Sequence, residues 1–334
     1  MKKIICSVHQ YNNIINYDFV CLDKNAQVVV IDDEFSMTID INDNFSVDFL
    51  RQKSVELTQK LEAIDYAKKP LVVNLNLKNT FTETVGFPKL SFLEFKKTFN
   101  IEMEKIYTNF NKRFCYSYTV ETDKNKGHEI TVVMCEKMFY SKAMYIPNNC
   151  GCKVEKVLSV PHSLKQFVLE NNFFEKNSNF VYVNIGKKYS TVIFAKGNKL
   201  INYDSFNLGT SDIDDEIAVV KGISVEEARK LRLEGSMENE IISTCKATFQ
   251  PISTHVELLG GCYPAEEIDT IRIHSEDYSD AEIIKAMAKD LKVCTAAPSV
   301  LEYIAYSNYV TLSALSIPDK NYDPDLPVTV KVNE

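Results

Sequence analysis

The amino-acid sequence predicts an α/β fold made of two related halves, with a small α/β subdomain inserted in the first. Three observations lead to this prediction. Each half opens with three short strand-like runs separated by turn residues. In each half a helical segment follows the third run. Between the halves lies a segment with a different plan, in which a helix comes first and strands follow.

The first half is recognised by β-branched and aromatic runs, which are typical of strands. A segment rich in Gln, Lys and Glu follows them, and its length favours a helix. Pro70 then precedes another apolar run. The predicted elements are strands at Ile4–Val8, Phe19–Leu22 and Val28–Ile31, a helix at Val47–Ile64 and a strand at Leu71–Leu75.

The second half repeats this order. Its predicted strands are Phe180–Ile185, Thr191–Ala195 and Leu200–Phe206, and a helix follows at Asp212–Val220. Three meandering strands followed by a helix, found twice, indicate an internal duplication. Two unrelated α/β domains are the alternative interpretation, because many α/β proteins contain such a meander.

The inserted segment begins with the capping box Ser91-x-x-Glu94, which predicts a helix start. The helix is expected to run to about Lys112. Strands at Tyr116–Thr122, Ile130–Cys135 and Val154–Val160 and a short helix at Met138–Ile146 should follow. The expected domains are a first lobe beginning with residues 1–80, an inserted subdomain at 81–158, a second lobe at 159–318 that returns to the first lobe, and a flexible tail at 319–334. Further helices are expected at Glu238–Phe249, Ala281–Leu291 and Pro298–Leu315.

Composition narrows the classes of function. Acidic residues outnumber basic ones 46 to 38, so the net charge of −8 argues against a nucleic-acid surface. No apolar run approaches the ~20 residues of a membrane-spanning helix, and the N-terminus lacks the apolar core of a secretory leader. A cytoplasmic protein is therefore expected, and its nine cysteines are interpreted as buried thiols. The one close pair, Cys150-Gly151-Cys152, is a weak zinc signal because zinc takes four ligands.

The segment from Val181 to Gly235 resembles the actin-like ATPases of the PilM/FtsA type, with PilM the nearer likeness. The run Gly222-Ile223-Ser224-Val225-Glu226-Glu227-Ala228 carries the resemblance most specifically. The helix start at Pro88–Phe95 and the run Ala297-Pro298-Ser299 fit the same family. The resemblance implies an actin-like fold, with duplicated ribonuclease H-like lobes and an extra subdomain.

An actin-type nucleotide site uses two hairpin turns that approach the phosphates, each beside an acidic residue that holds Mg²⁺ through water. The first turn falls near Ser7 and His9, where neither the acid nor the glycine is present. The second keeps Gly186 but has Asn184 in place of Asp. The nucleotide-site positions that the resemblance implies are Ser7, His9, Asn184, Gly186, Lys187, Gly209, Glu227, Arg232 and Ser275. Neither a catalytic residue nor a metal ligand is assigned.

Two functions follow from the resemblance. The first is a cytoplasmic scaffold of a type IV pilus or type II secretion machine, which binds the cytoplasmic tail of a PilN-like membrane protein. Pilus motor ATPases and further copies of the chain are additional partners, and the link to the membrane is indirect. The second is an active ATPase that polymerises or cycles with Mg-ATP. A sugar-kinase-like enzyme is a remoter third, since Asp204 and Asp212 stand in no recognisable motif. The altered turns favour the scaffold, and ATP with Mg²⁺ remains the possible cofactor pair that the family resemblance implies.

The helix beginning at Ser91 carries more apolar residues than one buried stripe needs. The stripe itself comprises Phe95, Phe99, Met103, Ile106 and Phe110. Phe92, Ile101 and Tyr107 fall away from it and are predicted to form an exposed patch that binds the partner. Burial of these three side chains beneath a neighbouring element is the alternative.

Overall fold

The structure is a computed structural model. It describes residues 2–11, 13–22, 28–30, 37–40, 46–77, 80–88, 90, 92–123, 127–170, 178–197, 199–234, 239–262, 268–275 and 294–296. The predicted helices at 281–291 and 298–315 and the tail at 319–334 lie outside these residues. The chain divides into two compact units. One contains the described residues between 18 and 35 and between 160 and 296, and the other contains those between 2 and 17 and between 36 and 159.

The first sheet has six strands in the order β3-β2-β1-β5-β9, with β4 paired to β2. β1 and β5 run parallel, as do β5 and β9. The first helix, α1, buries Leu50, Leu57 and Leu61, and Ser46 caps its N-terminus by accepting a hydrogen bond from the Phe49 amide. The elements are β1 (Lys3–Tyr11), β2 (Ile14–Leu22), β3 (Val28–Val30), β4 (Met37–Asp40), α1 (Val47–Ala63), β5 (Pro70–Leu77) and β9 (Lys153–Ser159).

The second sheet has five strands in the order β12-β11-β10-β13-β14. β10, β11 and β12 form an antiparallel meander, and β13 and β14 continue it in parallel. The two meanders lie in separate sheets with equivalent strand order, so the predicted duplication is confirmed. The elements are α6 (Val160–Glu170), β10 (Asn179–Ile185), β11 (Ser190–Lys196), β12 (Lys199–Phe206), α7 (Thr210–Lys221), α8 (Val225–Leu233), α9 (Asn239–Cys262), β13 (Thr270–Ser275) and β14 (Cys294–Ala296).

Helices cover both faces of this second sheet. Strand alternation sends Val181, Val183 and Ile185 to one face, where they pack with α7 and α9. Phe180 and Tyr182 point to the other face and pack with α6. A nearly continuous apolar strand such as β10 is what a parallel sheet buried on both faces requires. α9 extends to Cys262 through Pro251, well beyond the expected end at Phe249.

A third sheet, in the order β6-β8-β7, lies within the predicted inserted segment. Aromatic residues dominate its core, with Phe99 close to Phe87, Phe95 and Phe110. The elements of the segment are β6 (Thr80–Phe87), α2 (Phe92–Ile106), α3 (Phe110–Arg113), β7 (Phe114–Asp123), β8 (Gly127–Glu136), α4 (Lys137–Ala143) and α5 (Tyr145–Asn149).

Three expectations about this segment were wrong. The helix does not continue to Lys112, because Asn109 takes a left-handed conformation (φ 60°) between α2 and α3. The short helix expected at Met138–Ile146 is two helices, α4 and α5. The strand expected at Val154–Val160 does not belong to the inserted sheet, since β9 pairs in parallel with β5 of the first sheet.

Candidate functional site

The turn between β10 and β11, residues Gly186 to Tyr189, is the counterpart of the second phosphate turn. The Gly186 amide donates to the Tyr189 carbonyl across 3.0 Å and closes the turn. Gly209 lies directly against it. A Cβ atom at Gly209 would come within 2.4 Å of the Lys187 carbonyl oxygen and 2.6 Å of the Gly186 carbonyl oxygen. Only glycine fits at position 209, because both neighbours are backbone atoms.

The turn is joined to the start of α7 by hydrogen bonds. The amides of Thr210 and Ser211 donate to the carbonyls of Gly186 and Lys187, each across 2.9 Å. The Ser211 hydroxyl also donates to the Lys187 carbonyl, at 2.7 Å. These bonds fix the turn to the helix, so Gly186, Lys187 and Gly209 lie together.

The same contacts occupy the N-terminus of α7. The first N–H groups of a helix lack partners within the helix and can bind an anion when they are free. Here the amides of Thr210 and Ser211 serve the turn, the Asp212 amide donates to the Gly209 carbonyl, and the Gly209 amide donates to the Asp212 carboxylate at 2.7 Å. All four N–H groups are satisfied inside the protein, and the carboxylate adds a negative charge that repels phosphate.

Asn184 lies within β10, in register with Thr191 of β11 on one side and with His274 of β13 on the other. Asn184 and Thr191 are fully buried. Burial lowers the pKa of His274 to about 4, so its imidazole is neutral at physiological pH. This row of three polar residues therefore carries no charge.

Ser7 and His9 lie inside β1 and not in a hairpin turn, because the strand continues to Tyr11 and β2 begins at Ile14. The chain therefore reverses direction only after Tyr11, beyond both residues. Their register partners on β5 are Asn74 and Asn76. All four are buried, and burial lowers the pKa of His9 to about 3.

Both polar rows lack a carboxylate. Mg²⁺ takes oxygen ligands and is normally held by one or two carboxylates together with substrate phosphates. Within the described part of the chain, no group of three or more His, Cys, Asp or Glu side chains could hold a metal ion. Asp212 and Asp204 do not supply the missing carboxylate for Mg²⁺, because both have other contacts. Asp212 caps α7, and Asp204 lies 3.6 Å from His255 Nδ1.

Glu227 and Arg232 have local structural partners. The Glu227 carboxylate accepts hydrogen bonds from the Ser224 amide (3.0 Å) and hydroxyl (2.8 Å), which completes a capping box at the start of α8 and lowers the pKa of Glu227. Arg232 is buried and donates to both carboxylate oxygens of Asp214, at 2.6 and 3.0 Å. This bidentate pair joins α8 to α7. Ser275 ends β13 in register with Ile185.

The predicted partner-binding residues have different surroundings. Ile101 is 57% exposed on α2. Tyr107 is partly buried, and its ring makes a T-shaped contact with the ring of Phe114 at a centroid distance of 5.5 Å. Ile106, which was assigned to the buried stripe, is 51% exposed, because the helix ends there and the chain turns. Phe92 begins α2, and its side chain lies outside the described residues.

Sequence reasoning missed Asn74, Asn76, His274 and Asp214. A signal was available for the first two, since Asn74 and Asn76 alternate along an otherwise apolar strand. No signal linked His274 to Asn184 or Asp214 to Arg232, because these contacts depend on strand register and on helix packing.

Comparison with known proteins extends this picture. Among the described residues, no helix is long and apolar enough to cross a membrane. No protein-family model matches the sequence, and no curated protein matches it. Solved structures do. The chain is similar to one in the PilM–PilN type IV pilus biogenesis complex, with a TM-score of 0.66 and 12% identity over 94% of this chain and 98% of that one.

A second similar structure is the ethanolamine utilization protein EutJ from Carboxydothermus hydrogenoformans. Its TM-score is 0.51 and its identity is 10%, over 94% of this chain and 89% of that one. These two matches extend over 94% of this chain. They are consistent with its two sheets, each of which contains one of the duplicated meanders. The chain therefore has the actin-like fold.

Proposed function

We propose that this chain is an actin-fold scaffold of a type IV pilus or type II secretion machine, which binds the cytoplasmic tail of a PilN-like membrane protein. The observation that carries the proposal is the structural match to the chain of the PilM–PilN complex, which extends over nearly the whole of both chains. The protein would then act in the cytoplasm and reach the membrane only through its partner. Contacts with pilus motor ATPases and self-association belong to the same proposal.

The uncharged polar rows support a scaffold that does not depend on tight Mg-ATP binding. Neither Ser7 and His9 nor Asn184 supplies a carboxylate, and the donors at the start of α7 are used internally. Each lost charge-assisted contact is worth roughly 1.5–3 kcal/mol. Two such losses correspond to about two to four decades in affinity. We therefore expect no submicromolar binding of Mg-ATP.

The inserted segment is the proposed contact surface. A short tail can bind by main-chain hydrogen bonds together with small apolar pockets. Two exposed aliphatic side chains lie on α2: Ile101 within the helix and Ile106 at its last residue. Phe92, the first residue of α2, is proposed to contact the partner as well. Tyr107 is a poor probe of binding, since its ring packs on Phe114 and a charge there would disturb the core.

Capture of synthetic N-terminal tails of PilN-like proteins by the full chain tests the proposal. Ile101→Glu and Phe92→Glu should abolish capture and leave the melting temperature nearly unchanged. Thr108→Glu is the matched control, because Thr108 is exposed in the same segment and polar. Capture that survives both changes, or that Thr108→Glu removes equally, would place the interface elsewhere.

The alternative is an actin-like ATPase. The retained Gly186 turn and the Gly209 position that admits no Cβ atom favour it, since both keep the backbone geometry of a phosphate turn. Calorimetry with Mg-ATP separates the two functions. Submicromolar binding, or steady hydrolysis that Asn184→Ala abolishes, would replace the scaffold proposal with the ATPase.

A further inference from the structure

The Cys150-Gly151-Cys152 segment joins α5 to β9, and neither proposed function makes use of it. Gly151 has a left-handed φ of 74°, which glycine adopts without strain. A Cβ atom at Gly151 would come 2.8 Å from Cγ2 of Thr58 on α1. The chain therefore makes a tight turn against α1, and a substitution at Gly151 would be resisted both by conformation and by space.

The turn brings the two thiols together. The Cys152 side chain hydrogen-bonds to that of Cys150. Residues two apart in the chain have Cα atoms at most about 7 Å apart, and a disulfide needs roughly 4.4–6.8 Å. Cys150 Sγ also donates to the Pro147 carbonyl at 3.3 Å, and Cys152 Sγ lies 3.8 Å from the Tyr66 carbonyl. The backbone spacing of the pair is therefore compatible with a disulfide, and each sulfur is anchored on a neighbouring carbonyl.

The two thiols differ in access and in acidity. Cys150 is fully buried, whereas Cys152 is partly exposed. The hydrogen bond from Cys152, followed by backbone hydrogen bonds, lowers the pKa of Cys150 despite its burial. A thiolate is the attacking species in disulfide exchange, so the lowered pKa of Cys150 favours the second displacement, in which Cys150 attacks Cys152. An outside reagent can meet Cys152 first, and Cys150 is placed to react second.

We propose that Cys150 and Cys152 are a redox modification site that exchanges with small-molecule disulfides of the glutathione class. The Cys152 thiolate attacks one sulfur of the external disulfide, whose S–S bond breaks and releases one thiolate. The Cys150 thiolate then attacks Cys152 Sγ, forms the intrachain disulfide and releases the second thiolate. Two protein thiols lose two electrons, the external disulfide gains them, and the two thiol protons pass to the released thiolates or to water.

The chain offers a matched control in Cys115 and Cys135. These residues lie directly opposite each other on the antiparallel strands β7 and β8. Burial raises the pKa of Cys115 to about 11 and that of Cys135 to about 12. They are therefore a second pair of neighbouring thiols, but with little thiolate at neutral pH. Exchange at Cys150 and Cys152 should be about tenfold faster or more.

The test treats the full chain with oxidised glutathione, alkylates the remaining thiols at timed intervals and measures each cysteine peptide by mass spectrometry. The expected result is loss of alkylation at Cys150 and Cys152 together, with a peptide that lacks two hydrogen atoms and carries no glutathione. Dithiothreitol should reverse it. Equal rates at the two cysteine pairs, or glutathione adducts without the intrachain bond, would overturn the proposal.

Single substitutions test the order of attack. Cys150→Ser should trap glutathione on Cys152, because the second displacement is lost. Cys152→Ser should leave Cys150 no more reactive than Cys115, because Cys150 is buried. Rapid glutathione addition to Cys150 in that variant would contradict the assigned roles. The wild-type measurement decides the main proposal even if a variant fails to fold.

Discussion

The two large sheets share one plan but differ in how their first hairpin is built. Both place a meander beside two further strands, in the orders β3-β2-β1-β5-β9 and β12-β11-β10-β13-β14. In the second sheet a glycine turn is hydrogen-bonded to the start of α7. In the first sheet β1 continues past the corresponding polar residues. The comparison teaches that apolar strands and their order maintain the fold, while the turn chemistry is free to change.

The polar residues inside the sheets follow a related pattern. His9 of β1 pairs in register with Asn76 of β5, and Asn184 of β10 pairs with His274 of β13. In the first sheet the histidine lies on the meander strand β1, whereas in the second the asparagine lies on the equivalent strand β10 and the histidine lies on its parallel neighbour. Burial keeps both imidazoles neutral. Each half thus has an uncharged polar pair near the carboxyl ends of its central parallel strands.

The largest expected effect tests how the second half is held together. Arg232→Ala leaves the buried Asp214 carboxylate without its partner and should lower the free energy of unfolding by about 3–5 kcal/mol. Urea unfolding measures this loss. Arg229→Ala is the control, because Arg229 is exposed on the same helix. The double variant Asp214→Leu with Arg232→Met should lose much less unfolding free energy, because no buried charge is left unpaired. A loss as large as that of Arg232→Ala would point to packing as the cause.

The next effect tests the glycine turn that distinguishes the second sheet. Gly209→Ala forces a Cβ atom against the Lys187 carbonyl and should cost about 1–3 kcal/mol in unfolding free energy. Gly86→Ala is the matched control, since a Cβ atom there would meet nothing within 4 Å and should change stability by about 0.5 kcal/mol or less. Equal losses at both positions would show that the turn is not tightly packed.

The two histidines should make stability depend on pH in the same window. Both have folded-state pKa values below the unfolded value of 6.5, so the unfolded state binds more protons as pH falls. For each histidine, lowering the pH from 7 to 5 should reduce the free energy of unfolding by about 2 kcal/mol. His9→Asn and His274→Asn should each remove that share of the dependence, measured by urea unfolding at both pH values. A variant with the wild-type slope would mean that its histidine has the same pKa in the folded and unfolded protein.

The smallest effect tests whether Glu227 is a structural or a ligand-binding group. Ser224→Ala removes the N-cap of α8 and should cost about 1 kcal/mol. Glu227→Gln should cause a smaller loss that disappears when Ser224 is already Ala, because both belong to one capping box. Thermal melts of the single and double variants measure this coupling. Additive losses would indicate that Glu227 acts elsewhere.

Local sequence signals were sufficient for most of the fold. β-branched runs predicted the strands of both meanders, and the spacing of Phe95, Phe99, Met103 and Phe110 predicted a buried stripe that the structure confirms. Ile106 was assigned wrongly because α2 ends at this residue, and the chain turns before Asn109 takes its left-handed conformation. The propensity of a single asparagine is too weak to predict such a break.

The sequence by itself determined the duplicated α/β plan and the absence of the expected acids at Ser7, His9 and Asn184, because these depend on residue type and short spacing. Only the tertiary structure decided that β9 joins the first sheet, that His274 lies beside Asn184 and that Arg232 is bound to Asp214. Those contacts join residues 18 to 90 positions apart. Their formation depends on strand register and helix packing, for which a local pattern carries no signal.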